Sequence, residues 1–91
     1  MTSFKRRSRK DATEDAIVKA LEQVGVEVWV IERPCDLLTL YRGLWQPLEV
    51  KPLDWKPRKD QAEQTERLAR TRIPVVTTPL EALRAVGAAS V

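Results

Sequence analysis

Histidine is absent from this 91-residue sequence, and cysteine occurs once, as Cys35. Without histidine the chain cannot build a Ser-His-Asp or Cys-His catalytic centre, and it has no imidazole to hold a metal ion or transfer a proton. A single cysteine excludes an intramolecular disulfide and a cysteine-based zinc site. Any catalysis must therefore depend on carboxylates, lysines, the one tyrosine or a bound ion.

Long apolar runs are also absent. No segment approaches the ~20 residues that a membrane-spanning helix needs, and no apolar signal-peptide segment follows the basic N-terminus. We therefore expect a cytoplasmic protein without a membrane partner. A chain of this length forms one domain, which buries only about 60% of its unfolded surface. So thin a core favours a homodimer, since a second copy would cover apolar surface.

Positive charge is in small excess, with a formal net charge of +3, but it is unevenly placed. Clustered basic residues suit a polyanion such as DNA, whereas a merely soluble, slightly basic surface is the alternative. The clusters are Lys5, Arg6, Arg7, Arg9 and Lys10; Lys51, Lys56, Arg58 and Lys59; and Arg67, Arg70 and Arg72. The first cluster together with Lys56, Arg58 and Lys59 supplies our candidates for phosphate contacts, with a solvated loop as the alternative for the last three.

The apolar periodicity and the turn residues predict the element order α-β-β-β-α-β-α. This order indicates an α/β fold with a mixed central sheet and helices on its faces. Residues 1–10 have no apolar period and are predicted to be a flexible basic arm, before a single domain at 11–91. Helices are predicted from Asp11 to before Gly25, at 59–70 and after the N-cap Thr78, and strands at 26–31, 36–41, 44–51 and 73–77.

A hairpin signal at Arg42-Gly43 determines how the second and third strands pair, because glycine readily takes the positive φ of a tight turn. A two-residue loop places Tyr41 opposite Leu44, and counting on brings Asp36 opposite Glu49. Cβ atoms in such a pair lie about 4.5–5.5 Å apart, and two like charges there are destabilising. A slip of one residue would move Asp36 off this face, and a slip of two would give an ordinary salt bridge to a lysine.

A bound divalent cation would remove the repulsion between Asp36 and Glu49, because hard cations take carboxylate oxygens as ligands. Lys51 lies two residues beyond Glu49 and points to the same face, while the Val50 carbonyl can reach an ion there. Such an ion can polarise a phosphoryl oxygen and activate water, and a lysine can stabilise the developing charge. The pattern favours phosphodiester hydrolysis; the alternative is a turn aspartate beside two solvated strand residues.

The stretch Pro34-Cys35-Asp36 followed by Glu49-Val50-Lys51 resembles the signature of PD-(D/E)XK nucleases. More narrowly, residues 11 to about 87 resemble a compact VRR-NUC (virus-type replication-repair nuclease) domain. The family usually has proline directly before the aspartate, whereas Cys35 intervenes here. Further matching features are Glu14 in the first helix, the step from Gly25 into a strand, Gln61 opening the next helix, and Val75-Val76 with Glu81-Ala82.

The resemblance implies a restriction-endonuclease-like fold and a role for each matching residue. Asp36, Glu49 and the Val50 carbonyl would hold Mg²⁺ or Mn²⁺, and Lys51 would be the catalytic lysine. Gln61 would be an active-site residue of the following helix, with Gln64 as its rival one turn later. Glu14 would be an accessory acid, for which a capping-box glutamate is the alternative. Trp55 either stacks on a base or fixes its loop to the body, and we favour the second role.

The function that the resemblance implies is that of a metal-dependent endodeoxyribonuclease. Free-standing members of the family act as homodimers on branched DNA such as Holliday junctions, in a bacterial or phage-infected cell. Two alternatives stay open: a non-catalytic DNA-binding module on the same fold, and a phage-type regulatory or assembly protein.

Overall fold

The computed structural model describes residues 9–56 and 58–89, without the side chains of Arg9 and Lys10. Lys5, Arg6 and Arg7, predicted to contact phosphates, lie outside the described residues. The order α-β-β-β-α-β-α is confirmed. The elements are α1 (Arg9–Gln23), β1 (Glu27–Val30), β2 (Leu37–Tyr41), β3 (Leu44–Val50), a 3₁₀ turn (Lys59–Gln61), α2 (Ala62–Thr71), β4 (Val75–Val76) and α3 (Pro79–Ala85).

The four strands form one mixed sheet in the order β1-β2-β3-β4, with the first three antiparallel and β4 parallel to β3. Its hairpin has the predicted register: Tyr41 pairs with Leu44, and the ladder continues as far as Leu37 opposite Leu48. Both loop residues, Arg42 and Gly43, have positive φ, at 53° and 78°. That is the conformation of a two-residue type I′ hairpin turn, so the local sequence determined the pairing of these strands.

The parallel strand β4 is joined to β3 by the α2 crossover. Glu49 pairs with Val75, and Val50 pairs with Val76. The amide of Glu49 donates to the Pro74 carbonyl at 3.0 Å, and the amide of Lys51 donates to the Val76 carbonyl at 3.1 Å. The amides of Glu49 and Lys51 therefore point toward β4, and the amide of Val50, which lies between them, points toward β2.

The main apolar core lies between the sheet and the two helices α1 and α3. Ile17 and Leu21 of α1 are completely buried there, together with Leu48 and Val50 of β3. A smaller apolar cluster consists of Cys35, Leu68 and Ile73, with Ile31 and Val75 packed against it. The Val50 side chain, at the carboxyl end of β3, thus lies in the main core. Cys35, two residues before β2, lies in the smaller cluster.

The N-terminal boundary differs from the prediction. Helix α1 includes Arg9 and Lys10, which were assigned to the arm, and Asp11 lies in its first turn rather than at a cap. The other helix signals were correct. Gly25 follows α1 with a φ of 89°, and the Thr78 hydroxyl accepts a hydrogen bond from the Glu81 amide at 3.2 Å. In the described part of the chain, no helix has the length and apolar character to cross a membrane.

The inner face of α2 also differs from the prediction. The helical spacing of Ala62, Thr65, Leu68 and Ala69 in the sequence predicts that they form this face, but Leu68 is the only one of the four that is buried. The half-buried positions of the helix are polar instead. Gln61, directly before the helix, is half-buried as well, and in the helix itself the half-buried residues are Gln64 and Arg67. A polar stripe therefore faces the body of the protein.

Trp29 and Trp45 pack against each other on the surface of the sheet. Their ring centroids are 5.5 Å apart, and the rings are 43% and 57% exposed. As large apolar residues of predicted strands, both are expected from the sequence to lie in the core or at an interface, and their exposure shows that the core assignment is wrong. They lie on β1 and β3, the two strands that flank β2, where Trp29 is opposite Leu38 and Trp45 is opposite Leu40.

Candidate active site

Asp36 lies directly before β2. Two main-chain amides of other segments donate hydrogen bonds to it, one to its carbonyl and one to its carboxylate. Its carbonyl accepts a hydrogen bond from the Ile31 amide at 2.8 Å, and its Oδ2 accepts one from the Val50 amide, also at 2.8 Å. Because the ladder stops at Leu37 opposite Leu48, the Val50 amide has no β2 carbonyl to meet. The Asp36 carboxylate takes that place, so it lies against the end of β3.

Glu49 and Lys51 occupy alternate positions at that same end of β3, so their side chains lie on one face. Both are buried, with side-chain exposures of 3% and 7%, and Lys51 Nζ lies 3.2 Å from Glu49 Oε2. A buried charge is costly unless it is paired and hydrogen-bonded. The ammonium and the carboxylate therefore stabilise each other at the end of β3, where the Val50 amide bonds the Asp36 carboxylate.

Gln64 of α2 completes the arrangement through both ends of its amide. Lys51 Nζ donates to Gln64 Oε1 at 2.8 Å, and Gln64 Nε2 donates to Glu49 Oε2 at 3.3 Å. Trp55 covers the same ammonium, with Lys51 Nζ above its ring at 5.5 Å from the centroid. The lysine is thus oriented by a carboxylate, an amide oxygen and an aromatic face, which restricts the positions that its charge can take.

Cys35 lies close enough to Glu49 and Asp36 for their charges to affect the pKa of its thiol. Burial raises the pKa of its thiol above the usual value, hydrogen bonds to the Leu37 and Leu48 main chain lower it in part, and the negative charges of Glu49 and Asp36 raise it further. One buried thiol therefore senses both carboxylates. Since no histidine exists to activate it, the structure agrees with Cys35 as a small buried residue and not a nucleophile.

The oxygen donors of this corner suit a hard divalent cation. Asp36 and Glu49 provide two carboxylates, and the Val50 carbonyl is directed toward the Asp36 side, because its amide already bonds that side chain. Within residues 9–56 and 58–89, no group of three or more acidic, cysteine or histidine side chains could hold a metal ion. Mg²⁺ is commonly bound through only one or two carboxylates and retains several waters, so this smaller donor set still fits it.

The prediction that Gln61, and not Gln64, would reach the catalytic group does not match the contacts. Gln61 ends the 3₁₀ turn and lines a neighbouring cleft, where its Oε1 is buried, whereas Gln64 bonds both Lys51 and Glu49. The two glutamines are three residues apart and lie on one side of the helix. The three-residue spacing of the two glutamines is visible in the sequence, but only the packing of α2 against the sheet determines which of them contacts Lys51.

Glu14 lies in a separate shallow cleft on α1. Its neighbours there are Asp15, Val18, Lys19 and Val30. Val30 pairs with Leu37, the residue after Asp36. This position places Glu14 near the strand ends that carry the other acidic residues, and its accessory role stays a prediction.

The basic residues predicted to contact phosphate are only partly described. Lys56 and Arg58 line the cleft beside Trp55, and Lys59 begins the 3₁₀ turn; all three are exposed. Arg58 Nε lies 3.4 Å from Asp60 Oδ1 in a solvent-exposed ion pair, which contributes little to stability. These charges remain available to an anionic ligand at the rim of the site.

Comparison with known proteins supports the fold assignment. No protein-family model matches the chain, and no curated protein matches it. A solved structure described as a VRR_NUC domain is similar, with a TM-score of 0.61 and 20% sequence identity, over 89% of this chain and 97% of that one. At this identity the match establishes architecture and not chemistry. The predicted fold class is confirmed, and the chain has the mixed α/β fold of a VRR_NUC domain.

Proposed function

We propose that this chain is a metal-dependent nuclease that hydrolyses the phosphodiester bonds of DNA. The observation that carries the proposal is that the Lys51–Glu49 ion pair lies at the end of β3, where Asp36 is bonded to the Val50 amide. A fold shared with a solved VRR_NUC domain supports the same conclusion. Two carboxylates, a lysine and no histidine suit phosphoryl chemistry better than acyl transfer.

In this proposal Mg²⁺ or Mn²⁺ would be held by Asp36, Glu49 and the Val50 carbonyl. When bound, such an ion supplies Lewis acidity to a phosphoryl oxygen and lowers the pKa of a coordinated water. The hydrogen bond from the Val50 amide keeps the Asp36 carboxylate at the end of β3 before any ion arrives. Because this ligand group is already in position, less conformational entropy is lost when the metal ion binds.

Lys51 supplies the positive charge that the reaction needs near the phosphate. Its ammonium is held by Glu49 and by Gln64, whose Oε1 accepts from it at 2.8 Å. As charge builds on the phosphoryl oxygens, an ammonium in a fixed, poorly solvated position stabilises it more strongly than one in water would. Gln64 therefore acts as a positioning residue for Lys51, and Glu14 is proposed as an accessory acid.

The substrate proposed is double-stranded or branched DNA. Lys56, Arg58 and Lys59 lie beside the site and would contact phosphates, and the first basic cluster of the sequence would add to them. A homodimer would present two such sites and could cut two strands symmetrically, as a Holliday junction requires.

The direct test is incubation of the protein with linear, nicked and four-way-junction DNA, with and without Mg²⁺ or Mn²⁺. We expect cleavage only with metal, and the most at the junction. The variant Asp36→Asn should keep the fold and lose cleavage, and Trp45→Phe, on the exposed face of the sheet, is the matched control. Cleavage that persists in EDTA, or that is unaffected in Asp36→Asn, would exclude the proposal.

A non-catalytic DNA-binding module is a second candidate, because Lys51 already neutralises Glu49 in this structure. A module of this kind would bind DNA with a steep dependence on salt and would show no cleavage with any metal. The same incubation, read as a gel shift at two salt concentrations, distinguishes the two candidates.

A further inference from the structure

A cleft of about 390 Å³ lies next to the candidate active site, and Trp55 belongs to both. Its ring carries Lys51 Nζ above it, and the same residue lines the cleft with Lys56, Arg58 and Gln61, among others. The volume lies within the range of small-ligand sites, about 300–1,000 Å³. Trp55 therefore contacts the proposed catalytic lysine and also lines the place where a bound group would lie.

Two buried polar atoms of the cleft-lining residues lack a partner. Trp55 Nε1 and Gln61 Oε1 are both buried and make no hydrogen bond among the described residues. Nearly all buried polar groups in proteins are hydrogen-bonded, so a donor and an acceptor left unsatisfied in neighbouring side chains call for an explanation. Both atoms belong to residues that line the cleft, so a ligand there would meet these groups only after the side chains turn toward it.

We propose that this cleft binds one unstacked nucleobase of the DNA strand, next to the phosphate that is cleaved. This inference rests on the nuclease function proposed above, and it names the substrate feature that the site reads. The Trp55 ring offers a stacking surface, which every base can use. Gln61, once its side chain turns into the cleft, offers its amide to the edge of the stacked base, and Lys56 and Arg58 can contact the flanking phosphates.

The chemistry of the cleft favours a base over a simple anion. A phosphate would use Lys56 and Arg58, but it cannot donate a hydrogen bond to Gln61 Oε1 when fully ionised. A base carries ring nitrogens, carbonyls and amino groups on one flat, stackable surface. Because the base must leave its stack to enter, the cleft favours nucleotides at junctions, nicks or single-stranded ends, where unstacking costs least.

The experiment is a scan in which single abasic residues are placed at each position around the cleaved phosphate. Binding is measured by the anisotropy of a labelled oligonucleotide with Ca²⁺, so it does not depend on turnover. For the unaltered protein we expect one abasic position to weaken binding by about 5- to 100-fold, the range that loss of one stacked base produces. In Trp55→Ala, an abasic residue at that position should not weaken binding any further. In Trp55→Phe, most of the weakening caused by that abasic residue should return.

Trp45→Phe serves as the control, because Trp45 packs on Trp29 at the surface of the sheet. It should show the same position dependence as the unaltered protein. The inference is overturned if no abasic position is special, or if Trp55→Ala keeps the same position dependence. Cleavage without a special position would leave the nuclease proposal intact and remove this one. A special position without cleavage would remove the nuclease proposal and show base binding by a non-catalytic module.

A second measurement does not depend on an alanine variant folding. With Trp29→Phe and Trp45→Phe, Trp55 is the sole tryptophan of the chain. Saturation with a single-stranded oligonucleotide should quench and shift its fluorescence, while an abasic oligonucleotide of the same length should not. An unchanged spectrum at full saturation, confirmed by anisotropy, would overturn the inference.

Discussion

Lys51 and Glu49 form a buried ion pair at the end of β3, with Nζ 3.2 Å from Oε2; Glu49 lies in the strand and Lys51 directly follows it. Residues at this spacing share a face of the sheet, and their side chains are 7% and 3% exposed. The carboxylate proposed to hold a metal ion is thus balanced by the proposed catalytic ammonium. This relationship connects stability with function, because a change to either residue alters both.

Removal of one partner from this pair should destabilise the protein strongly. Lys51→Met leaves the Glu49 carboxylate buried without its cation, a loss of about 3–5 kcal/mol for buried pairs. The double variant Lys51→Met with Glu49→Gln removes both charges and should recover most of that loss. Urea unfolding of the original protein, Lys51→Met, Glu49→Gln and the double variant measures the coupling between the residues. Strictly additive effects would show that the pair does not stabilise the fold.

The two substitutions at Asp36 should separate charge from structure. Asp36→Asn retains an oxygen that can accept from the Val50 amide and should change the free energy of unfolding by less than about 1 kcal/mol. Asp36→Ala leaves that amide without its acceptor and should cost about 1–3 kcal/mol. Both should abolish metal-dependent cleavage. Chemical denaturation and the junction-cleavage assay check these expectations, which equal stability of the two variants would contradict.

The two glutamines near α2 should have different effects on the reaction. Gln64→Ala removes the amide that orients Lys51, and a misplaced catalytic group can slow the chemical step by about 100-fold. Gln61→Ala should leave single-turnover cleavage at saturating DNA nearly unchanged and should weaken binding of the substrate. Single-turnover rates measured over a range of protein concentrations separate these effects. The reverse pattern would return the active-site role to Gln61.

The last helix offers a test of stability that leaves the site untouched. Thr78→Ala removes the hydroxyl that accepts from the Glu81 amide at 3.2 Å and should cost about 1 kcal/mol. In a domain of this size that loss lowers the Tm by about 4–8 °C. Thr78→Ser keeps the cap and should remain close to the original Tm. Calorimetry measures the change, and cleavage at low temperature should be the same for all three proteins.

Short-range signals predicted the backbone of this protein well. The loop Arg42-Gly43 fixed the hairpin register, and Thr78 with Glu81 fixed the start of α3. Each of these features depends on residues within about four positions of one another, so neighbours in the sequence suffice to specify it. The start of α1 at Arg9 was missed, because basic residues without an apolar period carry no helix signal of their own.

Contacts across the chain were harder to predict. Gln64 lies 13 residues from Lys51 and 15 from Glu49, and its amide bonds both. The sequence showed two glutamines at helical spacing but not the rotation of α2 against the sheet. That rotation is fixed by Leu68, which packs with Cys35 and Ile73 in the smaller cluster. Burial of one leucine therefore decides which polar residues of the helix face inward.

By itself, the sequence determined that the side chains of Glu49 and Lys51 share one face of β3 and that Asp36 comes opposite the end of that strand, because pleat and turn geometry are local properties. The tertiary structure decided that the ammonium pairs with Glu49, that Gln64 joins them, and that Trp55 connects the site with a cleft. These contacts depend on packing between segments distant in sequence, and no local pattern encodes the distance between two such segments.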